Sequence, residues 1–288
     1  MDNQQLVLDY INNRSQTVPG WLYPIDMFLI AVLDQLQKAF DVRGNICEVG
    51  VYKGKSLILL GMLLRDDERL FAFDVFPEDF LEATKANMAA LCPTTARVEY
   101  VQGDTSSYTA DALRATLASP LRLLHIDAGH EYHEVLHCLY MLAPHVHVEG
   151  VIVMDDYQDR EFPGVAAAVL DFCLHHRPRQ FVPFVSGGNK MFLCTPGIAQ
   201  RYQAGLIGQP ALVDTMRLSR IRDHRVLVAS SREAMRSAAI AKMMHDEVAD
   251  YSAEVDLDGL ARIAQRHSQH ASRVAAASSS EADSSRGE

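Results

Sequence analysis

Between residue 45 and about residue 195, short apolar runs alternate with helical segments. NICEVGV (45–51), RLFAFDV (69–75), VEYVQGD (98–104), LRLLHID (121–127) and GVIVMDD (150–156) each have the length and content of a strand. Each is followed by a helical pattern: KSLILLGMLLR, PEDFLEATKANMAALC, ADALRATL, EYHEVLHCLYMLAPHV and GVAAAVLDFCLHH. Pro77 stands near the first turn of the second of these, where a missing N–H costs nothing. Strands at this spacing, each followed by a helix, predict βαβ units and a parallel sheet within an α/β fold. The pattern then changes. QFVPFVS (180–186) and KMFLCT (190–195) are separated only by Gly187, Gly188 and Asn189. That connection is too short for a parallel crossover and predicts a hairpin, so one strand near the sheet edge runs antiparallel.

The flanks divide the rest of the chain. Residues 1–44 form a lead-in segment with a turn at Pro19–Gly20 and an amphipathic helix from Asp26 to Phe40. Residues 45–196 hold the five βα units and the hairpin. Residues 197–271 are expected to be a helical extension, rich in Met and Ala near AMRSAAIAKMMHDEVADY, and residues 272–288, made of Ser, Ala and charge, to be disordered.

Composition narrows the setting. The chain has 288 residues, 48% of them apolar and 22% charged, as in an ordinary globular protein. No stretch reaches the roughly 20 uncharged residues of a membrane helix. MDNQQLVLDY has neither a basic nor an apolar region of a secretory signal, so a cytoplasmic protein with no membrane partner is expected. The five cysteines are scattered and form no CxxC pair, which fits buried free thiols in a reducing compartment. A net charge of −10 argues against a nucleic-acid partner.

Candidate chemistry gathers where the strands end. Asp127 closes LRLLHID, His130 follows at once, and Asp155 and Asp156 close GVIVMDD. Parallel strands would bring all four to one sheet edge, where open α/β sheets bind ligands. Three carboxylates that close seldom stay ionised without a cation among them. The spacing therefore points to a hard divalent metal with a base beside it. In CEVGVYKGKS, Gly50 and Gly54 mark a strand-to-helix turn. Tyr52 breaks a GxGxxG dinucleotide pattern, and GVYKGKS is one residue short of a P-loop. Glu48, Gly50 and Gly54 match the E/DxGxxxG turn of class I S-adenosylmethionine-dependent methyltransferases, against the alternative of a turn shaped only for packing. Asp74, ending the second strand, has two oxygens suited to ribose hydroxyls or to a helix start. Asp104, ending the third, would cap a helix or face a base.

Taken in order, VPGWL, EVGVYKGKS, AFDVF, QGDT, HIDAGHEYHEV and GVIVMDDY resemble the metal-dependent O-methyltransferases of the macrocin and mycinamicin type, over about residues 18 to 196. The resemblance implies a Rossmann-like class I sheet of seven strands, mostly parallel, with a terminal antiparallel hairpin strand. It implies S-adenosylmethionine and Mg2+ as cofactors. Glu48, Gly50 and Gly54 would line the methionine part, with Ser56 in the same cofactor-binding set. Asp74 would hold the ribose and Asp104 would lie beside the adenine. Asp127, Asp155 and Asp156 would bind Mg2+, and His130 would be the general base. Related sequences often carry Glu-Asp where this chain has Asp155-Asp156, so the shorter Asp155 is expected to be the weaker ligand.

The expected reaction is methylation of a small-molecule hydroxyl, on a sugar or natural-product vicinal diol. Bound Mg2+ would steady the developing alkoxide, and an imidazole suits proton removal near neutral pH. Two alternatives remain: a P-loop-like nucleotide-binding protein, because VIVMDD also looks like a Walker B strand, and a non-catalytic partner of the same fold. His125 shares a strand face with Asp127 and would support the metal site from behind. His133 and His137 read as ordinary helix positions. Trp21 and Tyr23 either close over an acceptor or pin the first helix, with packing the favoured reading. The apolar tail suggests a homo-oligomer, a dimer or larger.

Overall fold

The computed structural model describes residues 3–77, 79–175, 180–209, 212 and 216–229. Among these, the strands are β1 (Asn45–Val49), β2 (Leu70–Asp74), β3 (Val98–Gln102), β4 (Leu121–Ile126), β5 (Val146–Met154), β6 (Val182–Gly187), β7 (Lys190–Cys194), β8 (Met216–Ile221) and β9 (His224–Ala229). The helices are α1 (Asn3–Asp9), α2 (Pro24–Ala39), α3 (Lys55–Met62), α4 (Phe80–Leu91), α5 (Ala110–Leu117), α6 (Tyr132–Leu142), α7 (Pro163–His175) and α8 (Pro196–Ile207).

All nine described strands join one sheet in the order β3-β2-β1-β4-β5-β7-β6-β9-β8. β1 pairs in parallel with both β2 and β4, so the strand order reverses at β1–β4. A crevice opens at such a switch point, outside the strands' carboxyl ends. β7 runs antiparallel to β5, as the short glycine connection predicted. Its direction has a consequence: the β6–β7 turn lands at the same edge as the carboxyl ends of β4 and β5.

The Rossmann-like expectation holds, with one correction. The sheet has nine described strands rather than seven, because residues 216–229 form a β-hairpin and not part of a helical extension. MRLSRI and HRVLVA are each half-buried, with the β-branched and large apolar content of strands, and the turn at Arg222–Asp223 is tight. β9 pairs in parallel with β6, covering the edge that a seven-stranded sheet would leave open. α8 is the one helix of the described extension. The Met-rich stretch and the tail from Ser272 lie outside the described residues.

Both faces of the sheet are covered. Ile46, Leu70, Leu123, Val153 and Phe192 pack with α2 and α3 into one core. Phe71, Phe73, Leu124, Ile126 and Leu193 pack against α6 and α7 in the other. All five cysteines are free and buried. No described helix is long and apolar enough to cross a membrane.

Candidate active site

The backbone ladder runs one residue past the strands and fixes the site. The N–H of Asp127 donates to Val49 O at 2.8 Å, and that of Asp155 to Ile126 O at 2.9 Å. The N–H of Gly50 donates to Phe73 O at 2.9 Å. These bonds hold Gly50, Asp127 and Asp155 in register at the sheet's carboxyl edge. Gly50 has φ +83, and a Cβ there would collide with the carbonyl of Asp127. Only glycine lets the first loop come this close to β4.

Two adjoining cavities open at this edge, of about 630 and 720 Å3, and Gly50, Asp74, Val75 and Asp127 line both. The first carries Trp21, Tyr23, Tyr52, Phe80 and Phe162 on its apolar wall and His130, Asp155, Asp156 and Asn189 on its polar one. The second runs past Gly103, Asp104, His133 and His137.

The acid cluster is close-set. Ligating atoms of Asp127, His130 and Asp156 lie within 4.8 Å of one another, and so do those of His125, Asp127 and Asp155. His130 Nε2 is 3.0 Å from Asp156 Oδ2, and its ring stacks on Phe162 with centroids 4.0 Å apart. It precedes the capping box Glu131–Glu134 that starts α6, so the helix start fixes its backbone. Asp156 has φ +55, a strained value that clusters at functional sites. Its Oδ1 accepts from Asn189 Nδ2 at 2.9 Å.

Burial and neighbouring charge set the protonation states. Asp127 is pushed well above the usual carboxylate range, first by burial and then by the charge of Asp155. Burial acts on Asp155 in the same direction, but the Lys190 ammonium overrides it and draws Asp155 down to about 2. Lys190 is fully buried and ion-paired with Asp155 Oδ2. Asp26, from the first turn of α2, is also fully buried, with no hydrogen-bond partner of good geometry on either oxygen. Burial raises it to about 8, against the opposing pull of Lys190. Oxygen and imidazole donors in acidic excess over one buried ammonium suit a hard divalent ion.

The proposed cofactor residues separate in space. Gly50, Ser56 and Asp74 line the first cavity, while Asp104 lines the second. Asp74 is already engaged: Oδ2 accepts from the N–H groups of Val51 and Tyr52 at 2.6 and 3.0 Å, and Oδ1 from Phe76 N–H at 2.7 Å. It ties the glycine loop to β2 before any ligand arrives. Glu48 does not line either cavity. It points into the α2–α3 side of the sheet, fully buried, with Oε1 2.7 Å from His125 Nδ1. Residues alternate across a strand, so Glu48 takes the face opposite Val49. Gly54 also lies off the cavities, at the start of α3 against Thr84. Of the three residues of the predicted turn, only Gly50 therefore lines a cavity. His125 Nε2 stands 4.0 Å from Asp155 Oδ2, behind the cluster as its strand position implied.

Trp21 corrects the packing expectation. It is 86% exposed on the cavity wall, its ring facing Tyr52 at 6.2 Å. Asp26, Lys190, Asn189 and Phe162 were not legible as site residues. A lysine opening the otherwise apolar run KMFLC was the available signal.

The model of a methyltransferase domain family matches residues 47–157, spanning β1 through β5 and both acid-bearing strand ends. Residues 47–157 are a methyltransferase domain. The enzyme class expected from the sequence is met. The chain is similar to the TDP-rhamnose 3'-O-methyltransferase CalS11 of calicheamicin biosynthesis, at 20% identity over 67% of this chain and 92% of that one, with a TM-score of 0.45. It is similar to the O-methyltransferase TomG of Streptomyces achromogenes, solved with S-adenosylmethionine, at 16% identity over 68% and 90% (TM-score 0.46). It is also similar to an O-methyltransferase of Bacillus cereus, solved with S-adenosylhomocysteine, at 16% identity over 68% and 91% (TM-score 0.45). No curated protein matches the chain. Within the methyltransferase domain, the cavity-lining Gly50, Asp74 and Asp127 connect the two cavities, one walled by aromatic side chains and the other by the ends of β2 and β3.

Proposed function

We propose that this protein moves a methyl group from S-adenosylmethionine to a hydroxyl of a small molecule bearing neighbouring hydroxyls, such as a sugar, with Mg2+ held by the cluster of Asp127, Asp155 and Asp156. One observation carries the reading: Asp127, Asp156 and His130 converge within 4.8 Å in a cavity that Gly50 and Asp74 also line.

The chain's own groups divide the work. Gly50 lets the donor approach the backbone. Asp74 has used three N–H bonds of about four acceptor positions, which leaves one for a ribose hydroxyl. Asp104 lies at the far cavity, where the base would sit. His130 takes the acceptor's proton, and Asp156, 3.0 Å from its Nε2, stabilises the imidazolium that results. The acid cluster would hold Mg2+, whose charge would favour an alkoxide on the acceptor oxygen. The exposed face of Trp21 gives a flat acceptor a stacking platform.

The test is methyl transfer from labelled S-adenosylmethionine to a panel of glycosides and phenols, read by mass spectrometry with Mg2+ or with EDTA. Product that appears only with the metal, and is lost in Asp127→Ala with S-adenosylhomocysteine binding retained, is the expected result. Equal turnover in EDTA removes the metal from the reading. Tight ATP binding without S-adenosylhomocysteine binding removes methyl transfer altogether.

A further inference from the structure

Two candidate cation positions share Asp127. The inner one is formed with His125 and Asp155, the outer one with His130 and Asp156. They differ in what already occupies them. At the inner position, both oxygens of Asp155 are already engaged: Oδ2 is ion-paired with Lys190 Nζ, and Oδ1 accepts the N–H of Asp156 at 2.8 Å. Lys190 is fully buried at the first residue of β7, and it lines neither cavity. Its ammonium therefore has no water to retreat into. Asp26 adds a second acid from α2, packed against the β6–β7 turn where Gly188 leaves room for it. A divalent ion on Asp155 would place like charges a few ångströms apart in a buried setting, where repulsion is strong. At the outer position, the partners of Asp156 are a side-chain amide and a cavity-facing imidazole, neither a fixed positive charge.

We propose that Lys190 is a positioning residue: it serves as the resident cation of the inner position, keeps Asp155 out of the metal's coordination, and leaves Asp127 and Asp156 as the carboxylate ligands. This rests on the metal-dependent reading above and refines which acids carry it. Asp155 then acts through its hold on Lys190 and on the Asp156 backbone.

The test is Mn2+ binding followed by electron paramagnetic resonance, with no turnover required. Asp127→Asn and Asp156→Asn weaken binding by about tenfold or more, whereas Asp155→Asn stays within about threefold of the unmodified protein. Lys190→Met frees a carboxylate at the inner position and tightens Mn2+ binding by about tenfold. A purely structural lysine would leave the affinity unchanged. Loss in Asp155→Asn as large as in Asp127→Asn, or an unaltered affinity in Lys190→Met, overturns the assignment. Where Lys190→Met fails to fold, the double variant Asp155→Asn/Lys190→Met removes both charges of the pair together. It is expected to bind Mn2+ within about threefold of the unmodified protein, and a tenfold loss overturns the proposal. Failure of the unmodified protein to bind Mn2+ at millimolar concentration is a separate outcome, which removes the metal reading and this refinement with it.

Discussion

β4 has a buried cation cluster near each end of its span, and the two are built differently. Near the start of β4, Arg122 is fully buried and every donor is placed. Its guanidinium reaches both oxygens of Glu68 at 2.7 and 2.8 Å, Gln37 Oε1 at 2.9 Å, Leu63 O at 3.0 Å and Asp34 at 2.9 Å. Lys38 closes the set, 2.7 Å from the other Asp34 oxygen. Beyond the carboxyl end, Lys190 meets Asp155, and Asp26, Asp127 and Asp156 crowd around with fewer cations than acids. There Asp26, Asp127 and Asp155 share the Lys190 ammonium, whereas at the other end Glu68 and Asp34 are each ion-paired at short range. A polar network whose charges are matched holds a fold together, while one left in acidic excess beside a cavity is poised for a ligand.

The contrast breaks most visibly at the charge-matched end. Arg122→Met strands Glu68 and Asp34 in the core and should cost about 3–5 kcal/mol, measured by urea unfolding. A loss under about 1 kcal/mol would mean the network is not the structural element described. At the open end the cost should fall on turnover instead. His130→Ala is expected to slow methyl transfer about 100-fold, equal to about 2.7 kcal/mol of barrier, with an unmoved melting midpoint. A normal rate would place the base elsewhere, and a collapsed melting midpoint would make His130 a structural residue.

Two smaller effects sharpen the boundary between the ends. Gly188→Ala puts a Cβ into the Asp26 carboxylate at φ +53 and should destabilise by about 1–3 kcal/mol, read by thermal unfolding. Adding Asp26→Ala should return part of that loss, since the clash partner is gone. If the second substitution returns nothing, backbone strain alone sets the cost. Trp21 is the chain's one tryptophan, so its fluorescence reports on the cavity directly. Trp21→Ala should change stability by less than about 0.5 kcal/mol, and in the unmodified protein acceptor titration should quench the emission. Quenching by S-adenosylhomocysteine but by no acceptor would shift Trp21 to the cofactor side.

Much of this layout was legible in the chain. The alternation of apolar runs and helical periods determined a parallel sheet, because strand and helix differ in the period at which side chains return to one face. The short link between β6 and β7 determined an antiparallel strand, since a parallel crossover needs more residues. Placing Asp127, Asp155 and Asp156 at strand ends determined that they meet, because adjacent parallel strands finish at one edge. Tertiary packing alone decided what those groups then face. Glu48 and Gly54 match a cofactor motif by spacing, yet alternation turns the first into the core and α4 covers the second. Asp26 and Lys190 are separated by more than half the chain, and only the reversal of β7 against β5 brings the lysine to Asp155. The residues at 216–229 carry strand content, but their docking on the sheet depends on the edge that β6 offers far away in sequence. Periodicity and turn length act within a few residues and can be read in order; charge pairing and burial depend on neighbours that the fold supplies.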